Sequence, residues 1–346
     1  MNMKLALMSA LSLGALIVGG GYYVLKGYSE PDTNSYIQTS IPEGPVDRCI
    51  NLGNALDAPN EGDWTYRIED EHLKAIADAG FQSVRVPVRW SAHADDAPPY
   101  EIDPKFMDRV VHVVDEAIAH DLKVVLNVHH YLEIMEDPNA HVERLEGMWG
   151  QIARRFAGRG DKIVFELLNE ATENLTNTKL EKINAALVVK VRNIVGAEPW
   201  IMVGGDNWGN FDGIKNARIP DDPRLILTFH DYSPFEFTHQ GATFTEQEFP
   251  TGKVWGSEKE RDDALQLFED ARELGIKRQV PIFLGEFGVI NTVPQDERVK
   301  WTEAYRKAAE ENGIGWCLWD FGAAFSIYDT QTERWEKPLL DALLKE

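Results

Sequence analysis

Glu170, closing the run FELLNEA, and Glu286, inside FLGEFGV, each end an apolar, β-type stretch. Parallel α/β barrels collect their catalytic groups at the carboxyl ends of strands. Two carboxylates facing one cleft can cleave a glycosidic bond: one holds a proton for the leaving oxygen, and the other stays ionised to attack or stabilise the sugar cation. Other polar side chains stand at matching positions. They are Arg85 in VRVPVRW, His129 and His130 in NVHHY, Asn169 before Glu170, His230 and Tyr232 in FHDY, and Trp319 in WCLWDF.

Each residue also has a plainer reading. Glu170 could cap a helix N-terminus, where the dipole favours an acid, and Glu286 could be a loop acid. The asparagine before Glu170 and the glycines 285 and 288 flanking Glu286 favour the cleft, because glycine lets a backbone approach a ligand. Glu166, four residues before Glu170, is expected to point into the barrel below the cleft and pair with Arg85 or Arg89. His129, His130, His230 and Asp231 could be zinc ligands. Adjacent strand residues point to opposite faces, however, so His129 and His130 are expected to diverge, and neither metal nor organic cofactor is expected. Trp319 is expected to be a stacking platform for sugar, and so is Trp208 in the loop GGDNWGNFDG; Phe244 and Trp255 fit core or cleft equally well.

Eight β-rich segments must position these groups: 49–53, 83–87, 123–128, 163–168, 200–204, 225–230, 281–285 and 315–319. Several are near-continuous apolar runs, as parallel strands covered by helices require. Amphipathic stretches lie between them at 70–79, 104–120, 140–157, 180–195, 258–274 and 297–312. The alternation predicts a (β/α)8 TIM barrel of the α/β class. A doubly wound sheet is the alternative, but no glycine-rich phosphate turn follows the first strand, INLGNALDA.

The chain has 346 residues, is 43% hydrophobic and carries a formal net charge of −22. That charge repels phosphate backbones, so no nucleic-acid partner is expected. A neutral polymer meets no such barrier. Residues 5–25 are uncharged between Lys4 and Lys26, which suits either an uncleaved membrane anchor or a cleaved signal peptide. The expected organisation is an export segment over 1–27, a spacer over 28–44 and a catalytic barrel over 45–346. The barrel would then be extracellular, periplasmic or membrane-anchored facing outward. Cys49 and Cys317, the only cysteines, are expected on neighbouring first and last strands, whose geometry seldom suits a disulfide, so two buried free thiols are expected.

With these residues assembled, the chain resembles glycoside hydrolase family 5 endoglucanases, retaining cellulases of clan A. The likeness runs from about Cys49 to the C-terminus through INLGNALDAPNEGDW, VRVPVRWSAHA, NVHHY, ELLNEA, HDYSPFEFTHQGA, FLGEFG and WCLWDFGAAFSIYD. It implies that Glu170 is the acid/base, Glu286 the nucleophile and Asn169 the group binding the sugar 2-hydroxyl. Arg85 and Tyr232 would hold the nucleophile ionised and oriented. His129, His130 and His230 would line the cleft over a Trp319 floor, and Asn54 and Asp57 would contact sugar from the first loop. The implied activity is endo-β-1,4-glucanase on a β-linked polysaccharide or oligosaccharide. Mannan, glucomannan, xyloglucan and mixed-linkage glucan are alternative substrates, and a non-catalytic carbohydrate-binding barrel is a remote one. Departures are Ala171 for the usual proline, Asp231 within His-Asp-Tyr, and Phe244 where relatives often carry Trp.

Overall fold

The computed structural model describes residues 40–345. The expected export segment and residues 28–39 of the spacer lie outside the described residues. Within the rest of the spacer, Ile41 already packs against the core, so ordered packing begins a few residues earlier than the composition implies.

Eight parallel strands close into a barrel in sequence order. They are β1 (Cys49–Asn51), β2 (Ser83–Val86), β3 (Lys123–Asn127), β4 (Ile163–Glu166), β5 (Trp200–Val203), β6 (Leu225–His230), β7 (Ile282–Phe287) and β8 (Gly315–Leu318). The long helices between them include Asp70–Ala79, Pro104–Ala119, Pro138–Phe156, Asn177–Val195, Glu258–Arg278 and Gln295–Glu311. Local chemistry sets their ends. Asp103 accepts from the backbone N–H groups of Lys105 and Phe106, with Pro104 in the first turn, and Ser257 and Glu260 form a reciprocal capping box.

Because side chains alternate along a strand, positions two apart share the barrel interior. Cys49, Val125, Val164, Met202, Ile226, Phe283 and Cys317 form a buried apolar layer with Val46. Two residues onward, Cys49 gives way to Asn51, Val125 to Asn127, Val164 to Glu166 and Ile226 to Thr228. The interior thus turns from apolar to polar towards the carboxyl ends. Burying that polar layer is tolerable only if its groups find partners; Asn51 and Glu166 do so on Arg85 and Asn127 on Val88 and His129, while the Thr228 hydroxyl is buried without one.

The cysteine expectation is corrected. Cys49 and Cys317 form a disulfide across the β1–β8 seam, with their Cα atoms 4.1 Å apart. The two residues are direct register partners and both face the interior, which brings together side chains that a staggered parallel pair would separate.

Candidate active site

The polar layer is organised by one guanidinium. Arg85, fully buried, donates through Nε and Nη2 to Glu166 (2.6 and 2.7 Å), through Nη1 to Asn51 Oδ1 (2.8 Å) and Glu286 Oε1 (2.7 Å), and through Nη2 to Asn169 Oδ1 (2.6 Å). A guanidinium has five N–H donors, and all five are used. Glu166 is therefore the buried counter-ion anticipated for Arg85, as the alternation along β4 requires. Both Glu286 and Asn169 are pinned by a group that is itself immobile.

Glu286 lies within β7. The pairing register shifts beyond Leu284 on the β8 side and between Phe229 and His230 on the β6 side, so that Glu286 comes opposite His230. Such irregularities re-aim side chains at barrel rims. The second oxygen of Glu286 accepts a 2.9 Å hydrogen bond from the Tyr232 hydroxyl. Glu170 sits four residues beyond the end of β4 with φ +40°. Its Oε1 meets His230 Nδ1 at 2.8 Å, and the same nitrogen lies 3.7 Å from Glu286 Oε2. One carboxylate oxygen of Glu170 and one of Glu286 lie within 4.8 Å of each other.

The charges are shared among three groups. Burial pushes the Glu286 carboxyl above its ordinary range; His230 and Arg85 pull it back only in part, and the charge of Glu170 adds to the rise. Burial also pushes Glu170 upward, but the hydrogen bond and charge of His230, with His130 and Arg85 behind it, outweigh this and lower it. His230 is depressed by burial, yet the two carboxylates raise it overall. These directions favour a proton on His230, one hydrogen bond away from Glu170.

These groups open onto a cleft of about 970 Å³. Its lining includes Asn54, His129, His130, Glu170, Trp208, His230, Tyr232, Glu286 and Trp319. Trp319 forms part of the wall beside His129, their rings nearly parallel at 5.7 Å. Its indole rests on Gly53, where an added Cβ would come within 2.7 Å of the ring; only glycine fits there. Trp208 is 60% exposed and Phe244 61%, both in the cleft, while Trp255 is buried in the core.

His130 departs from the expected alternation. β3 ends at Asn127, and His130 adopts φ +49°, so its ring turns into the same cleft as that of His129, 4.5 Å away edge-on. The rule of opposite faces lapses where the strand stops. Asp57 also differs from the expectation of sugar contact: it is 0% exposed, accepts from the Ala55 N–H and lies 3.5 Å from His130 Nε2. It reaches the cleft only through that histidine. Asn54 does line the cleft, and its amide donates to Asp320 (3.3 Å), a buried acid pushed up to about 7 chiefly by burial.

Sequence reasoning missed several lining residues. Trp64 packs on His130 at 5.5 Å, and Phe235 stacks on His239 at 3.7 Å. Trp64 stands in the quoted run NEGDW and His239 in FEFTHQGA, so aromatics within long loops after strands were an available signal. Asn51 and Asn127 were visible as polar residues interrupting apolar strands.

A closed parallel barrel with two carboxylates converging at its carboxyl end defines a glycoside hydrolase. Residues 53–325 match Cellulase (glycosyl hydrolase family 5), and the chain belongs to that family. Endoglucanase H of Acetivibrio thermocellus is 34% identical over 299 residues, an alignment covering 85% of this chain and 32% of that larger protein. Among solved structures, Thermotoga maritima Cel5A in complex with cellobiose aligns with a TM-score of 0.84 at 39% identity, covering 86% of this chain and 97% of that one. The same enzyme in complex with mannotriose gives a TM-score of 0.84 at 38% identity, with coverage of 86% and 97%.

Proposed function

We propose that this chain is a retaining endo-β-1,4-glucanase acting by double displacement. The observation that carries the reading is that one carboxylate oxygen of Glu170 and one of Glu286 come within 4.8 Å of each other, close enough for the retaining spacing. Retaining glycosidases hold their carboxyl groups about 5–5.5 Å apart, whereas inverting ones leave roughly 6.5–9.5 Å for a water molecule. Glu286, oriented by Arg85 and Tyr232, attacks the anomeric carbon. Glu170 protonates the departing glycosidic oxygen, and a glycosyl-enzyme ester results. Glu170 then takes a proton from the water that displaces the sugar from Glu286.

The proton needed in the first step comes along the His230 Nδ1–Glu170 Oε1 hydrogen bond. Saccharide entering the cleft excludes water, which disfavours the separated charges of His230 and Glu170 and moves the proton to the carboxylate. Asn169 accepts from Arg85 through Oδ1, which leaves its Nδ2 donor for the sugar 2-hydroxyl. Trp319 supports the sugar at the cleavage point, and Trp208, beside Glu170, a sugar on the leaving-group side. His130, backed by Asp57, and Asn54, held by Asp320, serve the opposite side.

The mannotriose complex of the similar Cel5A supports mannan as a second substrate. Reducing-sugar release from carboxymethylcellulose, barley β-glucan and mannan tests the preference, and NMR of the first product tests the stereochemistry. Release of the α-anomer first would overturn retention, and inertness on all three polymers would overturn the endo-β-1,4-glucanase reading. We also propose that the catalytic barrel is exported, by way of residues 5–25. The Cys49–Cys317 disulfide supports an oxidising destination.

A further inference from the structure

We propose that Asn127 fixes the tautomer of His129, so that this histidine meets the substrate solely as a hydrogen-bond donor through Nε2–H. Asn127 is fully buried at the end of β3. Its amide has only one orientation that satisfies its neighbours. The backbone N–H of Val88 donates to Oδ1 at 3.3 Å, which requires an oxygen on that side. On the other side Nδ2 faces Glu166 Oε1 at 3.5 Å, a carboxylate oxygen already accepting from Arg85, which requires a donor. The same Nδ2 lies 3.1 Å from His129 Nδ1. An amide N–H pointed at Nδ1 makes that nitrogen the acceptor, and a neutral imidazole then carries its proton on Nε2.

The consequence reaches the cleft. The backbone N–H of His129 donates to the Val88 carbonyl at 2.8 Å, and its ring is nearly parallel to Trp319, so ring position and ring chemistry are both set. Burial drives the His129 pKa well down, which keeps the ring neutral. A sugar hydroxyl meeting Nε2–H must accept there and pass its own proton to another partner. The opposite tautomer would present a lone pair and reverse that order. The ligating atoms of Asp57, His129 and His130 lie within 4.8 Å of one another, as a cation site would need. With Nδ1 engaged by Asn127 and Nε2 protonated, His129 has no lone pair to offer a metal. Asn127 is thus a positioning residue, acting through His129.

The role assigned to sugar binding rests on the glycosidase reading; the tautomer does not. Long-range ¹H–¹⁵N correlation spectra of the histidine-labelled protein, with His129 assigned by its loss in His129→Gln, should show an unprotonated Nδ1 and a protonated Nε2. In Asn127→Asp the new carboxylate accepts from the ring, so Nδ1 should become protonated. At pH 8, kcat/KM on cellotetraose should then fall 10- to 100-fold, the expected loss when a buried donor is replaced by an opposed lone pair. A merely structural role for Asn127 would not move the nitrogen signals. A protonated Nδ1 in the wild type would overturn the proposal even if Asn127→Asp does not fold, and so would an unchanged Nδ1 in a folded variant. Unchanged kcat/KM with Nδ1 newly protonated would overturn the donor role. Failure of the wild type to hydrolyse any β-glucan would instead count against the proposed function, leaving the tautomer measurement to stand by itself.

Discussion

Tyr232→Phe should raise the pH at which the enzyme loses activity in acid. The Tyr232 hydroxyl donates to Glu286 Oε2 at 2.9 Å, while Arg85 holds the other oxygen at 2.7 Å. Both bonds favour the ionised carboxyl, and ionised Glu286 is the form that attacks. A hydrogen bond to a charged group contributes about 1.5–3 kcal/mol, and 1.36 kcal/mol corresponds to one pKa unit. The Tyr232 bond is only part-buried, which places the loss near the lower end, so Glu286 should titrate about one unit higher in the variant. Removing a donor that stabilises the anion raises its pKa, and activity that needs the anion then disappears sooner as pH falls. The phenyl ring keeps its contacts with His239 (5.1 Å) and Phe325 (5.9 Å), so thermal stability should stay close to wild type. The assay is kcat/KM against pH on an aryl cellobioside with a good leaving group, which makes little demand on Glu170 and reports the free enzyme. An acid limb that stays put, or moves to lower pH, would refute the assignment of Glu286 as the nucleophile held by Tyr232.

Three further outcomes are expected. Glu286→Gln should abolish turnover, whereas Glu170→Ala should lose roughly 10²–10⁴-fold on cello-oligosaccharides yet keep much of its rate on aryl glycosides with good leaving groups; equal loss on both would contradict the acid/base role. Replacing Cys49 and Cys317 by alanine should cost as much as ~5 kcal/mol of unfolding free energy, because the bridge closes most of the chain into a loop. Activity should hold, since the bridge lies in the apolar layer below Arg85; a guanidinium chloride melt that does not move would show that the bridge contributes nothing. A chain beginning at residue 40 should be as active per site as the full sequence, because it retains Ile41 and every described cleft residue, and aggregation or a large fall in melting temperature would count against this.

What could be read from the sequence follows from how far each rule reaches. Strand alternation holds while the strand lasts, and it placed Glu166 correctly, inside the barrel and paired with Arg85. It failed for His130, three residues past the end of β3, where a left-handed backbone reverses the side chain. It carries no register between the first and last strands: Cys49 and Cys317 were expected to be neighbours across the closed barrel but were read as free thiols, because nothing in the sequence showed them to be the direct register partners that form the bridge. Burial was equally hidden: Asp57 belongs to a loop that composition would leave wet, yet it is sealed behind His130.

The least legible property is the charge order, because no single residue owns it. From sequence, the two glutamates were expected to divide the roles between themselves, with Arg85 and Tyr232 holding Glu286 ionised. The fold inserts His230 between them, 2.8 Å from one carboxylate and 3.7 Å from the other. The imidazole is raised by the two carboxylates and lowers Glu170 in return, while burial leaves Glu286 raised. This does not contradict catalysis, which needs one proton and one negative charge in the trio and a short path between their holders. It does move the question of pH dependence from two glutamates to three coupled groups, whose apparent titrations belong to the set rather than to any member. A variant that alters one partner of Glu286 without disturbing His230 is therefore more informative than deletion of either glutamate, and Tyr232 is the partner that offers it: its hydroxyl touches Glu286, and its ring can be kept.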